Sequence, residues 1–307
     1  MQSIRAVVGP LGGSGIAEAV AAVPGVDATI VRRRDEMLQG LSGASVVVTF
    51  AWSDDWLTDD LRWIQSVSAG TDQFPVDALR SHGVVLTSAT GIHEVQVSEH
   101  ALGLLLAMTR GIAVAVANQQ ASTWSRTEVA ELSGMTLGVL GLGVIGEGLA
   151  RRALALGMRV IGTKRDPSGY SGVAERVLGP DGTLEVCRQA DAVVITLPGT
   201  EETRGLVGAD ELEALRDGWL VNVGRGSVID TGAFIAAMQE GVLAGAALDV
   251  FEEEPLPPES PLWDLPNVIV SPHLAGLSPR YGERLAAVFA RNLEAFRGEG
   301  EWVNRVV

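Results

Sequence analysis

The stretch that decides the fold is Leu137-Gly-Val-Leu-Gly-Leu-Gly-Val-Ile-Gly146. An apolar strand pattern runs into three glycines with the spacing Gly141-x-Gly143-x-x-Gly146, and a helical pattern and a second apolar run follow. In this setting Gly141 allows a tight turn, Gly143 lets the backbone approach a pyrophosphate, and Gly146 lets helix and strand pack closely. The stretch therefore predicts a dinucleotide-binding βαβ unit, and the alternative is a glycine-rich turn without a ligand.

The same alternation of short apolar runs and helical patterns continues on both sides of this loop. The predicted strands are residues 4–8, 28–31, 45–50, 64–67 and 84–86 before it, and 136–140, 158–161, 192–197, 219–223, 246–250 and 267–270 from it onward. Apolar spacings of three and four predict one long helix over residues 95–119 and another over 279–296. The pattern predicts an α/β fold of two parallel-sheet domains with a cleft between them.

Composition limits the partners of the chain. At roughly 100–200 residues per domain, 307 residues fit two domains. The net charge of −15 argues against nucleic acid and against an anionic membrane. One cysteine, Cys187, excludes a disulfide framework within the chain, and no spacing resembles a metal-ligand pattern, so we expect no metal. The first residues lack a signal-peptide pattern, which predicts a cytoplasmic protein.

The basic residues are nearly all arginine. Among 23 basic residues, Lys164 is the single lysine, and 38 residues are acidic. A genome rich in G and C explains this bias, and so does adaptation to high salt, for which an acidic surface poor in lysine is suited. Both explanations stay open at this point.

The residues after the second strand of the dinucleotide unit bear on which cofactor binds. Sites for NAD usually place Asp or Glu about 20 residues beyond the glycines, where the carboxylate binds the ribose 2′-hydroxyl. This chain has Thr163, Lys164 and Arg165 there, and Asp166 comes after them. Because a Lys–Arg pair attracts a 2′-phosphate, we expect NADP(H) to be preferred and NAD(H) to be possible. A solvated basic turn is the alternative.

Three residues suited to one reaction follow three successive predicted strands. They are Arg225, Glu254 and His273. Because ligands of parallel sheets bind beyond the carboxyl ends of the strands, we expect these side chains on one rim. A guanidinium binds a carboxylate, an imidazolium donates a proton, and a carboxylate beside the imidazole favours its protonated form. The set is typical of reduction of a 2-oxo acid.

Each of these residues also has a purely structural explanation. The acidic run 252–254 is equally typical of a solvated loop, and within it Glu254 is favoured because Pro255 fixes the backbone after it. The other histidines, His82, His93 and His100, lack a comparable setting, although His93 lies in a glycine-containing loop.

Five longer stretches carry a resemblance to a known family. They are Gly138-Val-Leu-Gly-Leu-Gly-Val-Ile-Gly146, Leu197-Pro-Gly-Thr-Glu-Glu-Thr203, Asn222-Val-Gly-Arg-Gly-Ser227, Ala247-Leu-Asp-Val-Phe-Glu-Glu-Glu-Pro-Leu256 and Ser271-Pro-His-Leu-Ala-Gly276. Through them the sequence resembles the D-isomer-specific 2-hydroxyacid dehydrogenases over nearly the whole chain, most strongly across residues 134–276. Its length and acidity resemble those of haloarchaeal members.

The resemblance implies a domain division and an assembly. A flavodoxin-like substrate domain of residues 1–97 plus 277–307 would accompany a Rossmann cofactor domain of residues 98–276. The long helix would carry a homodimer contact. The family majority, which uses NAD, has an acid where Lys164 stands, so this departure supports NADP.

The resemblance also implies roles for matching residues. Arg225 would bind the substrate carboxylate and carbonyl, His273 would donate the proton, and Glu254 would pair with His273. Ala69 and Gly70, in the turn after a first-domain strand, would hold the carboxylate through backbone N–H groups. The candidate cofactor-binding residues are Gly141, Gly143, Val144, Ile145, Thr163, Lys164, Arg165, Leu197, Pro198, Thr203, Val223, Asp249 and His273.

The expected activity is NADP-preferring reduction of small 2-oxo acids to D-2-hydroxy acids. Trp52, in the loop 51–55, favours a substrate with a small apolar group, or is simply a core residue. A phosphoglycerate-type dehydrogenase is an alternative, against which the absence of basic residues in that loop counts. A non-catalytic dinucleotide-sensing protein is another, although intact Arg225, Glu254 and His273 argue against it.

Overall fold

The computed structural model describes residues 3–11, 15–265 and 267–307. The chain forms two compact units: Met1–His93 with Ser278–Val307, and Glu94–Leu277. The strands of the described residues are β1 (Ile4–Val8), β2 (Val26–Ile30), β3 (Val46–Thr49), β4 (Trp63–Ser66), β5 (Val85–Thr87), β6 (Thr136–Leu140), β7 (Arg159–Thr163), β8 (Arg176–Leu178), β9 (Ala192–Ile195), β10 (Trp219–Asn222), β11 (Gly245–Leu248) and β12 (Val268–Val270).

The helices alternate with these strands. They are α1 (Ile16–Ala21), α2 (Met37–Leu41), α3 (Val76–Ser81), α4 (Glu94–Thr109), α5 (Ile112–Gln120), α6 (Val144–Ala155), α7 (Thr183–Gln189), α8 (Ala209–Ala214), α9 (Thr231–Gln239) and α10 (Tyr281–Phe296). Short 3₁₀ turns cover Arg34–Glu36, Asp54–Trp56, Pro180–Gly182, Glu201–Thr203, Gly226–Val228 and Pro261–Trp263.

The first unit is a five-stranded parallel sheet with helices on both faces. Its order, β2-β1-β3-β4-β5, is that of flavodoxin-like folds. Alternate residues of β1 pack into opposite layers, because Val8 lies in one apolar cluster with Phe289 of α10 and Val7 lies in another with Met37 of α2. Since both faces are covered, the strands are mostly apolar, and short apolar runs predicted them.

The second unit is a seven-stranded parallel sheet in the order β12-β11-β10-β9-β6-β7-β8. Its first strand, β6, lies between β9 and β7, so the strand order reverses there as in a Rossmann fold. Leu105 of α4 and Leu149 of α6 pack in one apolar cluster, while Leu212 of α8 and Phe234 of α9 pack in another. The glycine-rich loop follows β6, at the position where such sheets bind ligands.

The prediction of a single helix over residues 95–119 is wrong. Helix α4 ends at Thr109, α5 begins at Ile112, and the chain bends by 66° between them. Gly111 has a left-handed φ of 65°, and a Cβ there would lie 2.5 Å from Thr127 Cγ2, so glycine is required at the bend. The apolar spacing continues across the break and therefore did not reveal it. Strand β8 was also missed, since its three residues are too few to form a pattern.

The same two helices bear on membrane insertion. Among the described residues, no single helix is long and apolar enough to span a membrane, and this bent pair meets the criteria of length and composition only when the two are joined. Ala101 and Leu105 of α4 are completely buried in the second unit.

Candidate active site

The dinucleotide loop lies where β6 ends and α6 begins. Gly141 has a φ of 104°, a left-handed value that glycine adopts without strain. A Cβ on Gly146 would lie 2.3 Å from the carbonyl oxygen of Gly141, so only glycine permits this approach. Helix α6 begins at Val144, and the N–H groups of a first helical turn, that of Ile145 included, have no intrahelical acceptor. The loop therefore fits a pyrophosphate.

A cavity of about 620 Å³ opens beside this loop within the second unit. The predicted cofactor residues that line it are Gly141, Gly143, Thr163, Lys164, Arg165, Leu197, Pro198 and Thr203. The cavity is also lined by Pro180 and Thr183, which follow strand β8, and by Glu202. None of these three residues was predicted to bind the cofactor. Val223 is not among the lining residues and is buried.

The basic turn after β7 faces this cavity. Lys164 Nζ donates a hydrogen bond to the carbonyl oxygen of Leu142 in the glycine-rich loop at 2.8 Å. Asp166 turns to Ser168, whose hydroxyl and backbone N–H donate to Asp166 Oδ1 at 2.5 and 2.9 Å. These two bonds hold the pKa of Asp166 below its ordinary value. Asp166, the carboxylate that would otherwise bind a ribose hydroxyl, is thus hydrogen-bonded within its own turn.

The carboxylate that lines the cavity is Glu202. A hydrogen bond with Thr200 is the main cause that lowers the pKa of Glu202, and the positive charge of Arg165 contributes. The cavity therefore presents two cationic side chains and one carboxylate.

The three reactive residues follow strands that end in register. Asn222 of β10 pairs with Leu248 of β11, and Leu248 pairs with Val270 of β12. Because these parallel strands end side by side, the loops that carry the predicted catalytic residues leave the sheet at one rim.

The turn that carries Arg225 is fixed by a buried amide. Asn222 is completely buried, its Oδ1 accepts from Gly224 N, and its Nδ2 donates to the carbonyl oxygen of Arg225, both at 3.0 Å. A Cβ on Gly226 would lie 1.9 Å from the carbonyl carbon of Phe251, so glycine is needed where this turn meets the loop after β11. Arg225 itself is exposed. Asn222 lies in one of the family motifs, but its role in holding this turn was not predicted from the sequence.

One carboxylate of the acidic run 252–254 contacts His273. Glu254 Oε2 lies 2.7 Å from His273 Nδ1, and Glu254 Oε1 accepts from the backbone N–H of Phe251 at 2.9 Å. Glu252 instead lies 3.7 Å from Arg204. Glu254 is thus the member of the run that contacts His273. Because Nδ1 is engaged, Nε2 is the ring nitrogen left for a substrate.

Asp249 lies beneath the loop that follows β12. Its carboxylate is completely buried and accepts from the N–H groups of Leu274 and Ala275, each at 2.9 Å, and from Ser271 Oγ at 2.5 Å. Burial opposes ionisation, but these bonds and one with His100 outweigh it and lower the pKa of Asp249. Asp249 therefore holds the loop, and its expected contact with the cofactor stays a prediction.

The position of His100 beside Asp249 was also not predicted from the sequence. His100 lies on α4, and its Nε2 is 3.2 Å from Asp249 Oδ1 and 3.1 Å from Ser271 Oγ. The separation of 171 residues between His100 and Ser271 leaves no local motif. The only available signal was its place on a helix predicted to pack against the sheet.

In the first unit, the predicted carboxylate-binding turn follows β4. Ser68 Oγ donates to the carbonyl oxygen of Gly70 at 2.5 Å, which tightens the turn. Ala69 is exposed and Gly70 is half-buried. The backbone of this turn is therefore accessible in its unit.

Trp52 is half-buried, and its indole N–H donates to Asp54 Oδ1 at 3.0 Å. The loop 51–55 contains no basic residue, but it has a basic neighbour from another element. Arg34 Nη2 donates to the carbonyl oxygen of Trp52 at 3.1 Å, and its guanidinium lies 5.7 Å from the centre of the Trp56 ring. Arg34 comes from the turn before α2, so the loop sequence alone did not reveal it.

The single cysteine, Cys187, is buried. Burial raises the pKa of the Cys187 thiol to about 12, which leaves it protonated and unreactive. Within the described ranges, no group of three or more His, Cys, Asp or Glu side chains is arranged to hold a metal ion.

A Rossmann unit with this loop, an arginine turn and a Glu–His pair on neighbouring strand ends defines a class of protein, the NAD(P)-dependent oxidoreductases. The sequence profile described as "D-isomer specific 2-hydroxyacid dehydrogenase, NAD binding domain" matches residues 102–275. The chain belongs to the D-isomer-specific 2-hydroxyacid dehydrogenase family, as its motifs predicted.

Individual relatives agree with this assignment. A glyoxylate reductase from Aeropyrum pernix is 36% identical over 248 residues, which cover 77% of this chain and 73% of that protein. A D-3-phosphoglycerate dehydrogenase from Methanocaldococcus jannaschii is 34% identical over 87% of this chain and 52% of that protein. A solved NADPH-dependent glyoxylate/hydroxypyruvate reductase from Sinorhizobium meliloti, with NADP and malonate, has a TM-score of 0.79 and 28% identity and covers 100% of this chain and 97% of its own.

Proposed function

We propose that this protein is an NADPH-preferring reductase that converts small 2-oxo acids, such as glyoxylate and hydroxypyruvate, into D-2-hydroxy acids. The observation that carries the reaction is the 2.7 Å contact between His273 Nδ1 and Glu254 Oε2. The carboxylate favours the protonated ring and fixes its orientation, so Nε2–H points away from Glu254 and is available as a proton donor. The names of the relatives support the substrate class.

Each residue at the strand ends has a separate task. Bound NADPH supplies the hydride for C2 of the substrate. The guanidinium of Arg225 binds the substrate carboxylate and polarises the C2 carbonyl. His273 Nε2 donates its proton to the carbonyl oxygen, which becomes the hydroxyl of the product, and the ring is left neutral. Glu254 stabilises the imidazolium before this transfer and keeps Nδ1 protonated after it.

The cofactor preference rests on the turn after β7. Lys164 and Arg165 line the cavity and attract a 2′-phosphate, while Asp166 is engaged with Ser168. Glu202 on the same cavity weakens the preference, so NADH is the expected second cofactor.

The first unit is proposed to bind the substrate, within a functional division of residues 1–97 plus 277–307 and 98–276. The N–H groups of Ala69 and Gly70 would hold the substrate carboxylate, and Trp52 would contact the group on C3. The half-buried Trp52 ring suits a small apolar substituent.

A phosphoglycerate-type dehydrogenase is the second candidate. Arg34 supports it, because this guanidinium lies beside the Trp52 loop and suits an anionic substituent. The Methanocaldococcus jannaschii relative also carries that name, although the matched region is 52% of its length.

A cytoplasmic homodimer is proposed as the assembly. Helix α5 exposes the apolar residues Ile112, Val114 and Val116, which are 50, 39 and 51% exposed, and exposed apolar side chains clustered on one short helix are typical of a contact between subunits. The cytoplasmic location rests on the single, buried Cys187. Adaptation to high salt rests on the acidic, lysine-poor composition.

The test is a set of initial rates with NADPH and NADH separately, at low and high salt. The substrates are glyoxylate, pyruvate, hydroxypyruvate, phosphohydroxypyruvate and longer 2-oxo acids. Faster NADPH oxidation with glyoxylate or hydroxypyruvate is expected. Preference for phosphohydroxypyruvate would favour the second candidate. Folded protein that binds NADPH without turnover would favour a dinucleotide-sensing role.

A further inference from the structure

The catalytic histidine sits in an unfavourable backbone conformation. His273 has a φ of 54°, in the left-handed region that non-glycine residues rarely adopt. Its N–H donates to the carbonyl oxygen of Asp249 at 2.9 Å and to that of Ser271 at 3.0 Å. Such a conformation persists only where the surroundings hold it.

The hydrogen bonds that hold this conformation are made to the carboxylate of Asp249. Asp249 accepts from the two residues directly after His273, Leu274 at Oδ1 and Ala275 at Oδ2. It thereby fixes the direction in which the chain leaves His273. A buried carboxylate with fewer donors would be costly, so the loop depends on the remaining contacts of Asp249.

The remaining contacts come from Ser271 and from His100. Ser271 Oγ lies 2.5 Å from Asp249 Oδ1, and because a carboxylate only accepts, the hydroxyl hydrogen points to Asp249. Ser271 Oγ then offers a lone pair to His100 Nε2 at 3.1 Å, so Nε2 carries a hydrogen. The same N–H lies 3.2 Å from Asp249 Oδ1. His100 thus donates to both groups from a different element, α4.

We propose that His100 is a positioning residue for the reduction: through Asp249 and Ser271 it holds the loop in the conformation that places His273 beside Glu254. This inference rests on the proposed function, in which His273 is the proton donor. Loss of the His100 N–H leaves Asp249 Oδ1 with one donor fewer, loosens the loop and lowers kcat. The cofactor cavity is lined by other residues, so cofactor affinity is unaffected.

The test compares three variants with the wild type. His100→Leu removes the donor, His100→Gln restores an N–H donor of similar reach, and Glu99→Gln is the control at an exposed neighbour on α4. Ser271→Ala tests the same network if His100→Leu does not fold. Amide hydrogen exchange of Leu274 and Ala275 in the cofactor-free protein reports the loop directly.

In His100→Leu we expect kcat to fall about 10- to 100-fold, NADPH affinity to stay within about twofold, and both amides to exchange at least about tenfold faster. His100→Gln should recover most of the rate and protection, and Glu99→Gln should match the wild type. Unchanged exchange or unchanged kcat in His100→Leu, or in Ser271→Ala if that variant replaces it, would overturn the inference. Absence of turnover in the wild type would refute the proposed function instead, and the exchange measurement would still decide the role of His100.

Discussion

Two loops of the second unit differ in how firmly they are held. The segment 271–275 after β12 carries His273 and is bound to a completely buried carboxylate that receives donors from three directions. The turn 163–166 after β7 carries Lys164 and Arg165, and its contacts are exposed or half-exposed. The segment that carries the proposed proton donor is held by buried hydrogen bonds, whereas the turn proposed to select the cofactor lies largely at the surface. Substitutions in the segment 271–275 should therefore lower kcat strongly. Substitutions in the turn 163–166 should change the preference between NADPH and NADH.

The largest effect is expected for His273→Asn. Asparagine tolerates the left-handed backbone, so the loop should survive, but the proton donor is lost. We expect kcat for glyoxylate reduction to fall about 10²- to 10⁴-fold, the usual contribution of a general acid. Steady-state kinetics and NADPH titration measure this. His82→Asn, at an exposed histidine of the first unit, is the control. A kcat within tenfold of the wild type would show that another group donates the proton.

Asp249→Asn should lower both rate and stability. The NH2 group of asparagine replaces one carboxylate oxygen and meets the N–H donor of either Leu274 or Ala275, so a buried hydrogen bond is lost at a cost of about 1–3 kcal/mol in unfolding free energy. We expect kcat to fall roughly 10- to 100-fold as the loop loosens. Urea unfolding and kinetics measure the two effects, and exposed Asp210→Asn is the control.

The stability effect has a predicted pH dependence. The hydrogen bonds of Asp249 lower its pKa in the folded protein below the unfolded value of about 3.9. The carboxylate therefore stabilises the fold above that pH, and this contribution is lost as the pH falls through the folded pKa. The difference in unfolding free energy between wild type and Asp249→Asn should be full at pH 7 and shrink below about pH 4. A difference that grew on acidification would contradict this account.

The sequence predicted the features that local patterns express, but it did not predict the contacts between distant elements. Arg225, Glu254 and His273 were expected at one rim because each follows an apolar strand, and in the structure these parallel strands end side by side. The glycine-rich loop was found because its glycines have steric reasons that local sequence expresses. His100, Asn222 and the burial of Asp249 were not found, since they depend on contacts between distant elements. The break at Gly111 was missed because an apolar stripe continues through it.

Glu254→Gln should slow reduction. The amide leaves an acceptor for Phe251 N but removes the negative charge beside His273. Because that charge orients the ring and stabilises it as a proton donor, kcat should fall about 3- to 10-fold, a modest loss because the pair is partly exposed. Steady-state kinetics with glyoxylate measure this, with exposed Glu253→Gln as the matched control. A kcat equal to that of the wild type would remove Glu254 from the proposed mechanism.

The smallest effects are expected in the turn after β7, where two substitutions separate charge from structure. Arg165→Gln removes a cation from the cavity, so KM for NADPH should rise roughly tenfold while KM for NADH changes less than about twofold. Lys164→Gln removes a cation and also the bond to Leu142, which belongs to the loop that both cofactors share. Its KM should therefore rise for both cofactors, and more for NADPH. Equal increases for both cofactors in Arg165→Gln would mean that this turn supports the glycine-rich loop and does not select the 2′-phosphate.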